Sequence, residues 1–293
     1  MSARNSANAI TSARLVNMAE AGLPSKSPLH VRAGAAAGNG AVLSITPETA
    51  GWSYVGFAVH RLEAGEDRAV PAAEREHCVV VLGGRVDVRA GEQRWNQLGA
   101  RPDPFAGLPH SVYVPAGTEL ALTGAGEGAE VAIASAPAGN PERRAARVIA
   151  PDEIEVEVRG RGPFERRIHP ILMDDREAER LLVVEVLTPG GHWSSFPPHK
   201  HDRDDPPTET QLEETYYHRI NPSHGFGLQR VYTGDSTLDE SIAFGDGDVV
   251  LVPRGYHTVS APPGYELYYL NVMAGPVRRW AMVDDPVHAW LKN

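Results

Sequence analysis

The chain has 293 residues and carries 28 Lys and Arg against 38 Asp and Glu, a formal net charge of -10. With no basic run anywhere, that balance argues against a nucleic-acid backbone held on a cationic surface. Apolar residues make up 42% of the sequence but fall in short runs broken by glycine and charge, none near the roughly 20 residues of a membrane helix.

The first segment, 1–25, has Arg4 and Arg14 but neither an apolar core nor a small-residue cleavage site. It reads as an N-terminal arm rather than a secretory signal. Beyond it, 29 Gly and 24 Pro punctuate short runs rich in Val, Ile, Leu and Tyr, which is an all-β pattern. In the first half the expected strands are YVGFAVHRLE, EHCVVVLGGRVDVRAG, HSVYVPAGTELALTG and GAEVAIASA. The single cysteine, Cys78, lies within the second of these and has no partner for an internal disulfide. That suits a buried strand residue in a reducing, cytoplasmic protein. At the midpoint NPERRAARVIA predicts a turn or two of helix, and VHAWLKN predicts another at the C-terminus.

Strands of the second half are expected at RLLVVEVLTPGG, LEETYYHRIN, FGLQRVYTG, DVVLVPRGYHTVSA and YELYYLNVMAG. Each half contains a strand ending in Val-Pro-x-Gly, at Val114 and at Val252. Proline stops the ladder for want of an N–H, and glycine then turns the chain. The repetition predicts two tandem β-barrels, at 26–150 and 151–293.

Chemistry gathers in the second half. His199 and His201 are spaced to project from one face of a strand. In LEETYYHRI, Glu214, Tyr216 and His218 share one face while Glu213, Thr215 and Tyr217 share the other. Farther on, Gly247, Pro253, Gly255 and His257 close a third segment. Three imidazoles with one carboxylate make a mixed donor set for a divalent transition metal, Zn first, with Mn, Fe, Ni or Co as alternatives. The first half offers only Glu76 and His77 at the matching strand, and no histidine where His257 would fall, so its barrel is expected to hold no metal.

His-x-His, then Glu, then Gly-x5-Pro-x-Gly-x-His resembles the two motifs of the cupin superfamily, double-stranded β-helix (jelly-roll) barrels with metal at the mouth. More closely, TPGGHWSSFPPHKHD, EETYYHRINP, GFGLQRVYT and GDVVLVPRGYH resemble the 5-deoxy-glucuronate isomerases of myo-inositol catabolism, relatives of the 4-deoxy-5-hexosulose-uronate ketol-isomerases. The resemblance spans nearly the whole chain beyond the arm. It departs from the general cupin pattern in the twelve residues between His201 and Glu214, whose five acids and two prolines predict a looped-out, solvated insertion. A second departure is the single residue between Gly255 and His257.

The resemblance implies metal at His199, His201, Glu214 and His257, with Glu214 preferred over Glu213 as the carboxylate ligand. It implies an aldose–ketose isomerase that converts 5-deoxy-D-glucuronate to 2-deoxy-5-keto-D-gluconate by proton transfer through a metal-chelated enediol. Tyr216 and His218 are candidates for the proton-transfer groups, together with whichever glutamate is not a ligand. For the substrate carboxylate, Arg230 and Arg254, with Gln229 beside them, are preferred over Arg219 and Lys200. A metal-dependent oxygenase and a non-catalytic sugar-binding cupin are the competing classes. The expected partner is a small-molecule uronic acid, with neither nucleic acid nor membrane, and sheet edges leave room for a homo-oligomer.

Overall fold

The computed structural model describes residues 27–34, 40–139 and 144–292, so the expected arm at 1–25 lies outside the described residues. Strand β1 (His30–Val31) is followed in the first half by β2 (Leu43–Ile45), β3 (Gly56–Leu62), β4 (Asp67–Val70), β5 (Arg75–Ala90), β6 (Gln93–Leu98), β7 (Ser111–Val114), β8 (Leu120–Pro137) and β9 (Arg147–Ile149). These, without β1, form an eight-stranded antiparallel sheet in which the long β5 and β8 pair along their length. The second half has two sheets. One runs through β10 (Glu157–Arg159), β11 (Arg166–Leu172), β12 (Leu182–Thr188), β14 (Glu213–Asn221), β17 (Val249–Val252) and β19 (Glu266–Ala274), with β1 added at its edge. The other contains β13 (Trp193–Lys200), β15 (Gly227–Tyr232), β16 (Asp239–Phe244), β18 (Tyr256–Ser260) and β20 (Val283–Asp284).

The expected strands all fall on observed ones, whereas the described residues of the midpoint segment, 144–150, form no helix. Residues 140–143 are outside the described set, and Arg147–Ile149 is a strand paired with β7, because Val148 and Ile149 gain more by completing the sheet than by a turn of helix. The C-terminal helix is a single 3-10 turn at Ala289–Lys292.

Pairing registers expose the internal repeat. His77 lies opposite Val114 on β7 and Glu214 lies opposite Val252 on β17, each valine leading into Pro-x-Gly. Glu76 faces Ala136 and Glu213 faces Ala274 in the same way. Gly117 and Gly255 both take positive φ, 75° and 88°, and a Cβ on Gly255 would lie 2.5 Å from the Tyr232 carbonyl oxygen.

Faces are assigned by parity. In the first half Val79, Val81, Val112, Leu122 and Val131 pack together into an aliphatic cluster on one face of the sheet. The opposite face, with Phe57, Cys78, Val80 and Leu82, joins one continuous core with Tyr217, Leu270 and Val272 of the second half. Two glutamates clasp the halves reciprocally. Glu76 accepts backbone N–H bonds from Glu179, Arg180 and Leu181 at 2.6–2.8 Å, and Glu213 accepts them from Ser53, Tyr54 and Val55 at 2.6–3.0 Å. Each carboxylate meets donors that burial would otherwise leave unpaired.

Candidate metal centre

Strand β13 presents His199 across from His257 on β18, and His201 follows just past the strand's end. Between Ser194 and His199 the ladder bulges, with Ser195 at φ 50°, so the chain swings around the cavity wall before pairing resumes. Glu214 comes from β14 in the opposing sheet. The ligand atoms of His199, His201 and His257 all lie within 4.8 Å of one another, and all three rings are buried. The Glu214 Oε2 atom is 3.1 Å from His201 Nε2 and 3.2 Å from His257 Nε2.

Tautomers follow from the outer contacts. His201 Nδ1 lies 3.1 Å from the Leu212 carbonyl oxygen and His257 Nδ1 3.2 Å from that of Gly255. A carbonyl only accepts, so both Nδ1 atoms carry protons and both Nε2 atoms turn lone pairs inward when the rings are neutral. Nε2 of His199 and of His257 are buried without a hydrogen-bond partner. Buried nitrogens turned toward one another and toward a carboxylate are the arrangement that a shared cation satisfies. The cluster can therefore hold a metal ion.

The electrostatics tie the four groups together. Burial pushes the His199 imidazole well below its ordinary range, and the neighbouring His257 and His201 push it further. Burial would raise the Glu214 carboxyl, but the His201 hydrogen bond and the close approach of His257 outweigh it and hold the group down at about 2. Burial also opposes charge on His201, yet its bond to Glu214 wins and raises it.

The cluster opens on a cavity of about 1160 Å³. His199, Glu214, Tyr216, Tyr269, Asn271 and Trp280 line its inner end. Tyr216 hydroxyl lies 2.8 Å from Ser195 Oγ, and Tyr269 hydroxyl pairs with Ser194 Oγ. Burial first, then the Glu214 charge, pushes the Tyr216 phenol far above its ordinary value, so it keeps its proton. Asn271 donates through Nδ2 to Glu214 Oε1, fixing the carboxylate that faces the histidines.

The structure separates the remaining expected residues. Glu213 points to the other half, as strand parity requires, and its oxygens are taken by backbone donors. His218 shares Tyr216's face but lies deeper, stacked 3.6 Å on Phe244 and bonded at 2.9 Å to Gln229, outside the cavity lining. Burial brings its imidazole down to about 3, and both His218 and Gln229 are core partners of each other. Arg230 is paired with Asp239 at 2.8 Å on the outer face, and Arg254 is exposed and donates to Thr237. Neither reaches the cavity, because outward parity on β15 and the turn geometry at Arg254 aim both at solvent. Arg219 is held by Glu130 and Asp246.

The insertion after His201 is folded back rather than merely solvated. Lys200 Nζ binds Asp202 and Glu209 at 2.6–2.9 Å, Glu209 is buried, and Asp202 accepts from the Gly255 N–H. Asp202 and Glu209 thus find donors around the metal strands, while residues 203–208 are exposed as expected. Sequence reasoning missed Asn271, Tyr269, Trp280 and Arg166 at the cavity. Trp280 packs against His199 and His201, at 6.1 and 5.6 Å between ring centroids.

Fold and site together define an all-β cupin of two tandem jelly-roll units, with a candidate metal centre in the second. The chain belongs to the KduI/IolB family, whose model matches residues 29–291. It is 50% identical over 92% of its length to the 5-deoxy-glucuronate isomerase of Geobacillus kaustophilus, covering 94% of that protein. Against the 5-deoxy-glucuronate isomerase of Bacillus subtilis the identity is 40%, with 85% of this chain and 92% of the relative covered. The crystal structure of an IolB-like protein from Salmonella typhimurium superposes with a TM-score of 0.86 at 46% identity, over 90% of this chain and 99% of that one. Oxalate decarboxylase of Lactobacillus farciminis shares the fold alone, with a TM-score of 0.64 at 12% identity over 89% and 90% of the two chains.

Proposed function

We propose that this chain is an intramolecular aldose–ketose isomerase that converts 5-deoxy-D-glucuronate to 2-deoxy-5-keto-D-gluconate in myo-inositol catabolism. The observation that carries the reading is the convergence of three buried imidazoles and Glu214 on the wall of a cavity with room for a sugar acid. The relatives named for this activity match the chain almost end to end.

His199, His201, Glu214 and His257 hold the ion in this reading, and zinc suits three neutral nitrogens with one carboxylate oxygen. A divalent ion there supplies Lewis acidity toward the aldehyde and its neighbouring hydroxyl. Asn271 keeps Glu214 turned toward the histidines. Tyr216 holds its proton on the phenolic oxygen beside Ser195 and lines the cavity, which supports a role as donor to a substrate oxygen in this reading. Trp280, Ile168 and Val186 give part of the cavity wall an apolar surface. Among the described residues no helix is long and apolar enough to cross a membrane, and a cytoplasmic location suits the lone buried Cys78.

The test is anaerobic incubation with the uronate, followed by mass analysis of the product and elemental analysis of the protein. The expected result is a ketose of unchanged mass, formed without oxygen, with a bound transition metal that His257→Ala loses along with turnover while the fold persists. Undiminished turnover by metal-stripped protein would defeat the reading, as would oxygen consumption.

A further inference from the structure

The substrate of this reading carries an aldehyde at one end of a six-carbon chain and a carboxylate at the other, so an anion must be received at a distance from the metal ligands. Arg230 and Arg254 lie outside the cavity. Five other cations line it, and four of these are committed elsewhere or lie at its rim. Arg159 pairs with Glu157 at 2.7 Å, Lys292 with Asp284, and Arg176 with Asp175 at 3.6 Å, while Arg161 is exposed.

Arg166 differs. It is half-buried at the start of β11 and spends one N–H on the Phe164 carbonyl at 3.0 Å. No carboxylate among the described residues forms an ion pair with it, which is unusual for a guanidinium withdrawn from water. Its sheet face is shared with Ile168 and Pro170. Register carries that face across β12 through Val186 and Val184, across β19 through Tyr269 and Asn271, and onto β14 at Tyr216, two residues from Glu214. One wall therefore runs from a guanidinium without a carboxylate partner, over an apolar strip, to the metal-ligand cluster. Arg166 is near enough for its charge to bear on His199, Tyr216 and Tyr269.

We infer that Arg166 receives the substrate carboxylate and that Ile168 and Val186 lie against the methylene next to it. The inference rests on the uronate-isomerase reading above. A guanidinium offers two parallel N–H bonds to a carboxylate, and the dianion-like demand of the reaction, charge at both ends of the substrate, matches positive charge at both ends of the wall. The apolar strip between them favours a carbon without a hydroxyl, which is where this substrate is deoxygenated.

The test compares wild type, Arg166→Gln and Arg166→Lys on 5-deoxy-glucuronate and on 5-deoxyglucose, the neutral analogue without the carboxylate. The expected result is a KM for the uronate raised about 10- to 100-fold in Arg166→Gln, as for loss of charge-assisted hydrogen bonds, with Arg166→Lys between. Turnover of the neutral analogue and metal content stay at wild-type values. An equal loss on both substrates would mean a structural role and overturn the inference, and so would a uronate KM within twofold of wild type. If wild type itself fails to isomerise the uronate, the functional reading falls and this inference falls with it. Failure confined to the Arg166 variants leaves that reading standing.

Discussion

Replacing Glu185 by Leu should be the most destabilising single change between the two halves. Glu185 is fully buried on β12 and accepts both arms of the Arg101 guanidinium at 2.9 and 3.0 Å, the Tyr268 hydroxyl at 2.9 Å and His169 Nδ1 at 2.8 Å. Arg101 is only 4% exposed, so the leucine strands a charge that cannot reach water. Removing one partner of a buried ion pair costs about 3 to 5 kcal/mol. A loss near the middle, about 4 kcal/mol, corresponds to a melting point lower by about 8 to 16 °C at the sensitivity of large domains. The double variant Arg101→Met with Glu185→Leu removes both charges and should recover at least about 2 kcal/mol relative to the sum of the single changes. Urea unfolding followed by tryptophan fluorescence, with calorimetry for the melting point, measures all three. A single-variant loss under about 1 kcal/mol, or strict additivity in the double variant, would refute the reasoning. The sign of the pH dependence also follows. Burial would raise the Glu185 carboxyl, but the Arg101 charge and the donors around it lower it below its unfolded value. Its contribution is therefore present above the unfolded carboxylate pKa of about 4.3 and is lost as acid drives pH down through the folded one. The effect reaches the site because Val184 and Val186, on the other face of the same strand, form the cavity wall.

Two further outcomes are expected. Asn271→Ala frees the outer oxygen of Glu214 and should weaken metal binding about 10- to 100-fold without unfolding the protein, as competition with a chromogenic chelator would show. An affinity unchanged from wild type would mean that Glu214 is oriented without it. Cys78, fully buried with its thiol pushed up to about 12 chiefly by burial, should resist a thiol-disulfide reagent at pH 8 in the native state and react once urea unfolds the chain. Rapid reaction of the folded protein would contradict that burial.

Period-two alternation makes much of the site legible in the sequence alone. His199 and His201 had to share a face, and Glu214, Tyr216 and His218 had to share another, because side chains on a strand alternate whatever the fold. The Val-Pro-x-Gly steps marked the repeat for an equally local reason, the missing proline N–H and the positive φ at Gly117 and Gly255. Parity could not say which face looked into the cavity. That was decided by packing of the halves, where Ser53, Tyr54 and Val55 supply the donors that claim Glu213 and leave Glu214 to the histidines. His218 and Tyr216 are equivalent in the strand pattern and differ only in depth, one against Phe244 and the other at the cavity.

What the sequence by itself determined was the candidate histidines, the facing of each strand's side chains, the repeat and the all-β class, since each rests on neighbours within one strand or turn. What only the tertiary structure decided was the rest of the cavity: Asn271 behind Glu214, Trp280 over the histidines, and Arg166 at the far end of the wall. Arg166 lies 33 positions before His199, Asn271 57 positions after Glu214, and Trp280 79 positions after His201. Long-range strand register brings them together, and no local periodicity encodes which strand will lie beside which.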